Sequence, residues 1–266
     1  MMIALSRTEW PDSGFATQVR ILAWRGMRAE LTDWKLVFFG LLQPVVLLVL
    51  FSQVFRVVGG LPGLSGYAGY VNFLVPATLI TIALTSAMGS GAALLAELYG
   101  GFTSRLRCMP VSLVAALVAR TIADVFRLAA QMIVVVVASF VLLGFRPAGG
   151  VAGAGAAVVL AVFFGWCMDW VFVALTTMVR KVQALQAVAF IVTFPLMFAS
   201  SAYMPIAVMP WWMRVLSTVN PVTYAVDATR GLSAGVASVS AVLAAAGTAV
   251  AVALVGGLAA ARAIRR

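Results

Sequence analysis

The stretch Val71–Leu95, "VNFLVPATLITIALTSAMGSGAALL", runs for 25 residues without a charged side chain. About 30 Å of hydrocarbon is crossed by about 20 apolar residues in a helix, because only an internally hydrogen-bonded backbone is tolerated away from water. Val71–Leu95 therefore reads as a membrane-crossing helix. The same criterion selects, approximately, Leu36–Phe55, Leu128–Phe145, Val151–Met178, Ala184–Ser201 and Val239–Ala261. Composition agrees, since 64% of the 266 residues are apolar and only 10% are charged, too few to cover a water-exposed surface of this size. The expected fold is an all-α integral membrane protein. A cytoplasmic N-terminal segment, residues 1–35, precedes a domain of six transmembrane helices, residues 36–266.

The basic residues give the orientation, because cytoplasmic loops retain the excess of Lys and Arg. One side of the expected bundle carries Arg7, Arg20, Arg25, Arg28 and Lys35, then Arg105, Arg107, Arg120 and Arg127, then Arg180 and Lys181, then Arg262, Arg265 and Arg266. The opposite side carries only Arg56, Arg146, Arg214 and Arg230. Both termini are accordingly expected in the cytoplasm, with the chain multi-pass in the plasma (inner) membrane. Residues 1–35 mix charged and apolar side chains without a continuous apolar core, so no cleavable signal peptide is expected. The net charge of +10 follows from this distribution between spans and does not point to nucleic acid.

Several chemistries are excluded. With no histidine and two cysteines, the chain lacks the makings of a zinc site, a histidine-based triad or a disulfide framework, so neither catalytic nor metal-ligating residues are expected. A phosphate-gripping loop needs Gly-Lys-Ser/Thr, and the two lysines, Lys35 and Lys181, follow Trp and Arg. The chain is not a P-loop ATPase, and it binds no cofactor of its own in this reading.

Departures from plain apolar helix mark the candidate functional residues. From Phe15 to Lys35, Phe15, Ala16, Val19, Leu22, Ala23 and Gly26 gather on one arc of a helical wheel, with Thr17, Gln18, Arg25, Arg28, Thr32 and Lys35 opposite. This suits an amphipathic helix in the membrane surface, with Trp24 and Trp34 at headgroup depth, either as a simple anchor or as a partner's docking point. Gln43 and Pro44 interrupt the first span, where the proline ring must clash with the carbonyl of Gly40. Thr78, Thr81 and Thr85 share one face of the second span and could form a mildly polar lining, or simply bond their own helix carbonyls. Strings such as "GAGAA" and "GSGAA" read as close-approach points between helices.

Val111–Phe145 would run about 52 Å as one helix of 35 residues, so its first half must protrude from the hydrocarbon. Arg120, Asp124 and Arg127 fall there on one face, the acid able to pair with either base. They belong at the cytoplasmic boundary or in a polar cleft. Asp169 stands alone in "FGWCMDWVF", about 16 Å of helix from Arg180 and hence near mid-membrane. It is either a pathway residue or the partner of a distant Arg or hydroxyl. Between the fifth and sixth spans, residues 203–231 hold Pro205, Pro210 and Pro221 and the pair Trp211 and Trp212 among apolar neighbours, which suggests short re-entrant outer helices. Asp227 and Arg230, three apart, can pair on the last of these.

Four stretches together resemble the permease subunits of type-2 ATP-binding-cassette (ABC) exporters, particularly the daunorubicin/doxorubicin-resistance kind. They are "LLQPVVLLVLFSQVF" (Leu41–Phe55), "AELYGGFTSRLRCMPVS" (Ala96–Ser112), "ARTIADVFRLAAQMIVVVV" followed by "LLGFRP", and "SAYMPIAVMPWWMRVLSTVNPVTYAVDATRGL". In the second, Glu97, Gly101, Arg105, Leu106 and Pro110 match the pattern of the family's cytoplasmic coupling helix. In the fourth, Asn220, Pro221, Val222, Thr223, Asp227 and Arg230 carry the match.

The resemblance implies a permease that exports hydrophobic or amphipathic, drug-like or lipid-like compounds. It would do so with a separate nucleotide-binding ATPase subunit, two copies per complex, which holds the ATP and Mg2+. A second permease copy, identical or related, is implied as well, surrounded by membrane lipids. Residues 97–110 would then be the lever seated on the ATPase. Gly100 and Gly101 free the backbone, Phe102 and Leu106 give an apolar face, Arg105 and Arg107 offer forked donors to carboxylates, and Pro110 ends the element. A lipid-linked glycan as cargo, and an ATP-independent secondary transporter using Asp169, are the alternatives.

Overall fold

The computed structural model of the chain describes residues 14–32, 42–46, 48–50, 52–53, 70–99 and 113–264. Among the described residues there are helices and turns and no strand. The elements are α1 (Phe15–Thr32), α2 (Tyr70–Tyr99), α3 (Leu113–Leu143), α4 (Gly150–Met178), α5 (Val182–Phe198), a 3-10 turn (Ile206–Val208), α6 (Trp211–Val219), α7 (Pro221–Ala234) and α8 (Val239–Ile264). Residues 42–46, 48–50 and 52–53, from the first expected span, are also helical, and the rest of that span lies outside the described residues.

Among the described residues, four stretches are long and apolar enough to cross a bilayer: Tyr70–Glu97, Val118–Leu143, Gly150–Met178 and Val239–Arg262. They coincide with the expected second, third, fourth and sixth spans. The fifth, α5, is a shorter apolar helix of 17 residues, or about 25 Å. The long run after Val111 is one continuous helix of 31 residues.

Small residues decide how these helices meet. α4 lies at the centre, against α2, α3, α7 and α8. At Gly256 of α8 a Cβ would stand 2.9 Å from the carbonyl oxygen of Trp170, and at Gly91 of α2 it would stand 2.7 Å from the Cβ of Phe172. In a bilayer, where lipid is as apolar as leucine, such close backbone approach is what holds helices together. The buried interior they enclose contains Leu74, Ile80, Leu84, Met132 and Phe164.

α1 packs along α3, with Ala23 buried and Gly26 against the Cβ of Ala123. Val19 and Leu22 are half-buried, whereas Phe15 and Trp24 are exposed. The expected apolar arc is thus divided, one edge taken up by α3. Trp34 lies outside the described residues.

At the other end, Asn220 caps α7 by accepting the Val222 N–H at 2.9 Å, and Pro221 occupies the first helical position, where a missing N–H costs nothing. Gly235 ends the helix at φ 71°, the left-handed conformation that glycine adopts without strain. The turn between α3 and α4 docks on this terminus, the Gly149 N–H donating to the carbonyl of Ser233 at 2.9 Å.

Candidate functional site

Helix α2 carries three polar stations in order along its length, and each gathers residues from other elements. The first is at its Tyr70 end. Arg230 of α7 is 4% exposed, its Nε donating to the Phe73 carbonyl at 3.0 Å and its Nη2 to the Ala202 carbonyl at 2.7 Å. Its guanidinium carbon lies 3.5 Å from the centroid of the Phe73 ring. The expected pair with Asp227 forms at 3.5 Å, and Asp227 also accepts from the Ser201 hydroxyl at 2.6 Å. Asn220 donates to the carbonyls of Leu196 and Ala199 at 2.6 and 3.1 Å. The hydroxyls of Thr223 and Ser217 lie 3.2 Å apart. Asn220, Asp227 and Arg230 are therefore fastenings that tie α7 to the ends of α2 and α5. A forked, always-charged guanidinium suits a task that needs donors in two directions at once. Trp211 and Trp212, on α6, are exposed.

The second station is a cavity of about 310 Å³ beside the middle of α2. Thr78, Thr81 and Thr85 line it together with Gln43, Pro44 and Leu48, Arg127 and Gln131 of α3, and Tyr203. Thr78 donates to the Leu74 carbonyl and Thr85 to that of Thr81, each at 3.0 Å, and the three threonines lie along the edge of this space. Thr81 and Tyr203 both line this space. The volume falls within the range of about 300–1,000 Å³ usual for small-molecule sites, and several polar groups in apolar surroundings are what orient a ligand there.

The third station joins residues that the sequence treats separately. Asp124 is buried, with Arg127 Nη2 at 3.3 Å and Arg120 Nε at 3.7 Å, so the acid does pair with both bases. Arg127 Nη2 also donates to Ser90 at 3.1 Å. Ser90 lies within hydrogen-bonding reach of the carboxyls of both Asp124 and Asp169. Asp169, buried on α4, shares a cavity of about 20 Å³, roughly one water's worth, with Ser90, Arg120 and Asp124. Asp169 thus faces the α2–α3 cluster and does not line the larger cavity. Glu97, near the end of α2, completes the cluster through an ion pair with Arg120.

Arg127 connects the second and third stations, since it lines the larger cavity and bonds within the cluster. Gln131, Tyr203, Ser86 and Ser90 escape a reading of the chain alone. Gln131 shares the Arg127 face at a spacing of four, which is the one signal for it. The others are ordinary residues until another element is brought against them. Gly100, Gly101, Phe102, Arg105, Leu106, Arg107 and Pro110, expected from the resemblance to meet the ATPase, lie outside the described residues.

The model of the ABC-2 type transporter family matches residues 17–233. A daunorubicin resistance ABC transporter permease protein of Streptomyces coeruleorubidus is 28% identical over 196 residues, covering 74% of this chain and 68% of its own length. A protein of Mycobacterium tuberculosis, described as a probable doxorubicin resistance ABC transporter permease protein, is 26% identical over 212 residues, covering 77% of this chain and 74% of its own.

Proposed function

The chain belongs to the ABC-2 type transporter family, and from that premise we propose how it works as the transmembrane permease subunit of an ABC exporter. Its drug-resistance relatives are permeases, and this chain is such a subunit, working with an ATPase encoded elsewhere. The cargo is a hydrophobic or amphipathic compound. The six crossings comprise the four long helices, α5 and the segment that contains Gln43, with both termini in the cytoplasm, and α6 and α7 are the outer re-entrant pair. Two permeases and two ATPase subunits make the working complex.

ATP-driven closure of the ATPase pair acts on residues 97–110, and the movement enters the bundle through the charge cluster. The observation that carries this reading is that Glu97, the first residue of the lever, and Arg120, beyond its far end, belong to the same cluster as Arg127, which lines the cavity. A displacement of the lever therefore acts on one connected set of ion pairs and hydrogen bonds next to the proposed cargo space. Two discrete arrangements of such a set are the physical means of coupling distant sites.

The test is transport by the permease reconstituted with its ATPase subunit in proteoliposomes. ATP-dependent export that stops with vanadate and continues with a protonophore is expected. Export that needs no ATP and stops with the protonophore would favour a secondary transporter using Asp169 and would remove this reading.

A further inference from the structure

α4 and α8 lie side by side and run in the same direction: Leu160 clusters with Ala245, and further along both helices Trp170 meets Gly256. Between them opens a groove of about 370 Å³, separate from the cavity beside α2. Its walls are Phe163, Trp166 and Trp170 of α4 and Val250, Leu254 and Leu258 of α8. Among the described residues that line it, none bears a charge or a hydroxyl. Trp166, Leu254 and Leu258 are exposed, so the groove is open to whatever surrounds the bundle.

The groove has a basic end. Val250, Leu254 and Leu258 recur every four residues on one face of α8, and Arg262, exposed in the last turn, continues that face. Arg180 and Lys181 stand exposed directly after α4. At 1.5 Å per residue, Arg262 lies about 9 Å beyond the Gly256–Trp170 contact and the last residue of α4 about 12 Å beyond it, so the three cations emerge at about the same depth. None of the three is in an ion pair among the described residues. Residues 170–266 include a single acid, Asp227, which belongs to the opposite end of the bundle. A charge that only fixes topology has to stand on the correct side of the bilayer, and it need not continue the wall of an open groove.

In a membrane such a groove is filled either by another helix surface or by a hydrocarbon chain. A two-fold contact would set this face against itself and bring Arg180, Lys181 and Arg262 of two copies together with no carboxylate between them. A lipid with a negative headgroup satisfies both parts of the site, and basic pockets between transmembrane helices are where such headgroups bind. We propose that the α4–α8 groove is a site for an anionic phospholipid, held as a resident of the permease and not as its cargo. One acyl chain lies along Trp166, Trp170, Leu254 and Leu258, and the phosphate sits among Arg180, Lys181 and Arg262. The proposal goes beyond the exporter reading and takes from it only the orientation, which puts the lipid in the cytoplasmic leaflet. Trp170 also lines the small cavity that holds Asp169 and Arg120, so the bound chain braces the charge cluster from outside.

The test uses the permease with its ATPase subunit in phosphatidylcholine bilayers and reads tryptophan fluorescence. The probes are phosphatidylglycerol and phosphatidylcholine with brominated chains, each added at the same low mole fraction. Brominated phosphatidylglycerol should quench at least about threefold more than brominated phosphatidylcholine, because the cations concentrate it beside Trp166 and Trp170. The joint variant Trp166→Phe and Trp170→Phe removes the two reporters and should abolish the excess. Gly257→Leu fills the groove at a position where nothing lies within 4 Å of a Cβ, keeps every charge, and should also abolish it. So should Arg180→Gln, Lys181→Gln and Arg262→Gln combined.

Equal quenching by the two lipids overturns the proposal, as does an excess that persists without Trp166 and Trp170. An excess lost in the charge variant but kept in Gly257→Leu overturns it too, since the cations then attract lipid to the surface at large. Complete disulfide linkage of two Leu254→Cys copies, in a chain with Cys108→Ser and Cys167→Ala, does the same by covering the face with a second chain. If ATP-driven export persists alongside any of these, the exporter reading stands and only the lipid site is lost. Selective phosphatidylglycerol binding by a complex incapable of ATP-driven export leaves the site and removes the exporter reading.

Discussion

Glu97 on the last turn of α2 and Arg120 on α3, 23 residues apart in the chain, form an ion pair that joins the two helices on either side of the proposed lever. Arg120 also faces Asp124 at 3.7 Å, so this pair is the outer member of a chain of charges leading to Arg127.

Reversing one charge breaks that chain, and reversing both rebuilds its outer link. Glu97→Arg and Arg120→Glu should each lower ATP-driven export by about fivefold or more, with Arg120→Glu the worse because it also confronts Asp124. The double variant should recover most of the Glu97→Arg loss. Export and ATP hydrolysis measured in parallel check this. Loss of export with hydrolysis retained is the expected pattern, and a double variant no better than the singles would remove the coupling role of the pair.

Asp169 shares a small buried cavity with Ser90, Arg120 and Asp124, which gives its isostere and its apolar replacement different outcomes. Asp169→Asn keeps a hydrogen-bonding group toward Ser90 and should leave thermal stability nearly unchanged. Asp169→Leu strands neighbouring polar groups and should destabilise by about 1–3 kcal/mol. Thermal unfolding in detergent separates them. Equal losses for the two would show that the hydrogen bond is not what matters.

Arg230 donates to two carbonyls of different segments and lies over Phe73. Lysine, a single point of charge, cannot reproduce this fork, so Arg230→Lys should still lower the thermal midpoint, and Arg230→Gln should lower it further. Leaving the Phe73 and Ala202 carbonyls unsatisfied should cost about 1–3 kcal/mol in total, since the partner Asp227 is half exposed and adds little. A wild-type melting curve for Arg230→Gln would contradict the fastening role.

Within "GAGAA", two glycines only two residues apart should behave oppositely. A Cβ on Gly153 would stand 2.5 Å from the carbonyl oxygen of Leu232, a backbone atom, whereas nothing lies within 4 Å of one on Gly155. Gly153→Ala should destabilise by about 1–3 kcal/mol through forced separation of α4 and α7, and Gly155→Ala should be neutral or slightly stabilising. Thermal midpoints of the two variants decide this.

The sequence alone determined the helical class, the position of the long spans and the identity of several local pairs. Each rests on short-range physics: hydrophobic length against bilayer thickness, and residues three or four apart meeting on one helix face. The Arg120–Asp124–Arg127 set, the Asp227–Arg230 pair and the threonine face of α2 were legible for that reason. Only the tertiary structure decided that Asp169 meets Ser90 and the α3 charges, that Arg230 fastens α7 to α2, and that Gln43, Thr81, Gln131 and Tyr203 share one cavity. Those meetings depend on which helices approach and at what rotation. In lipid this is set by small-residue contacts such as Gly91 on Phe172 and Gly256 on Trp170, a property of pairs of surfaces that no single helix pattern contains.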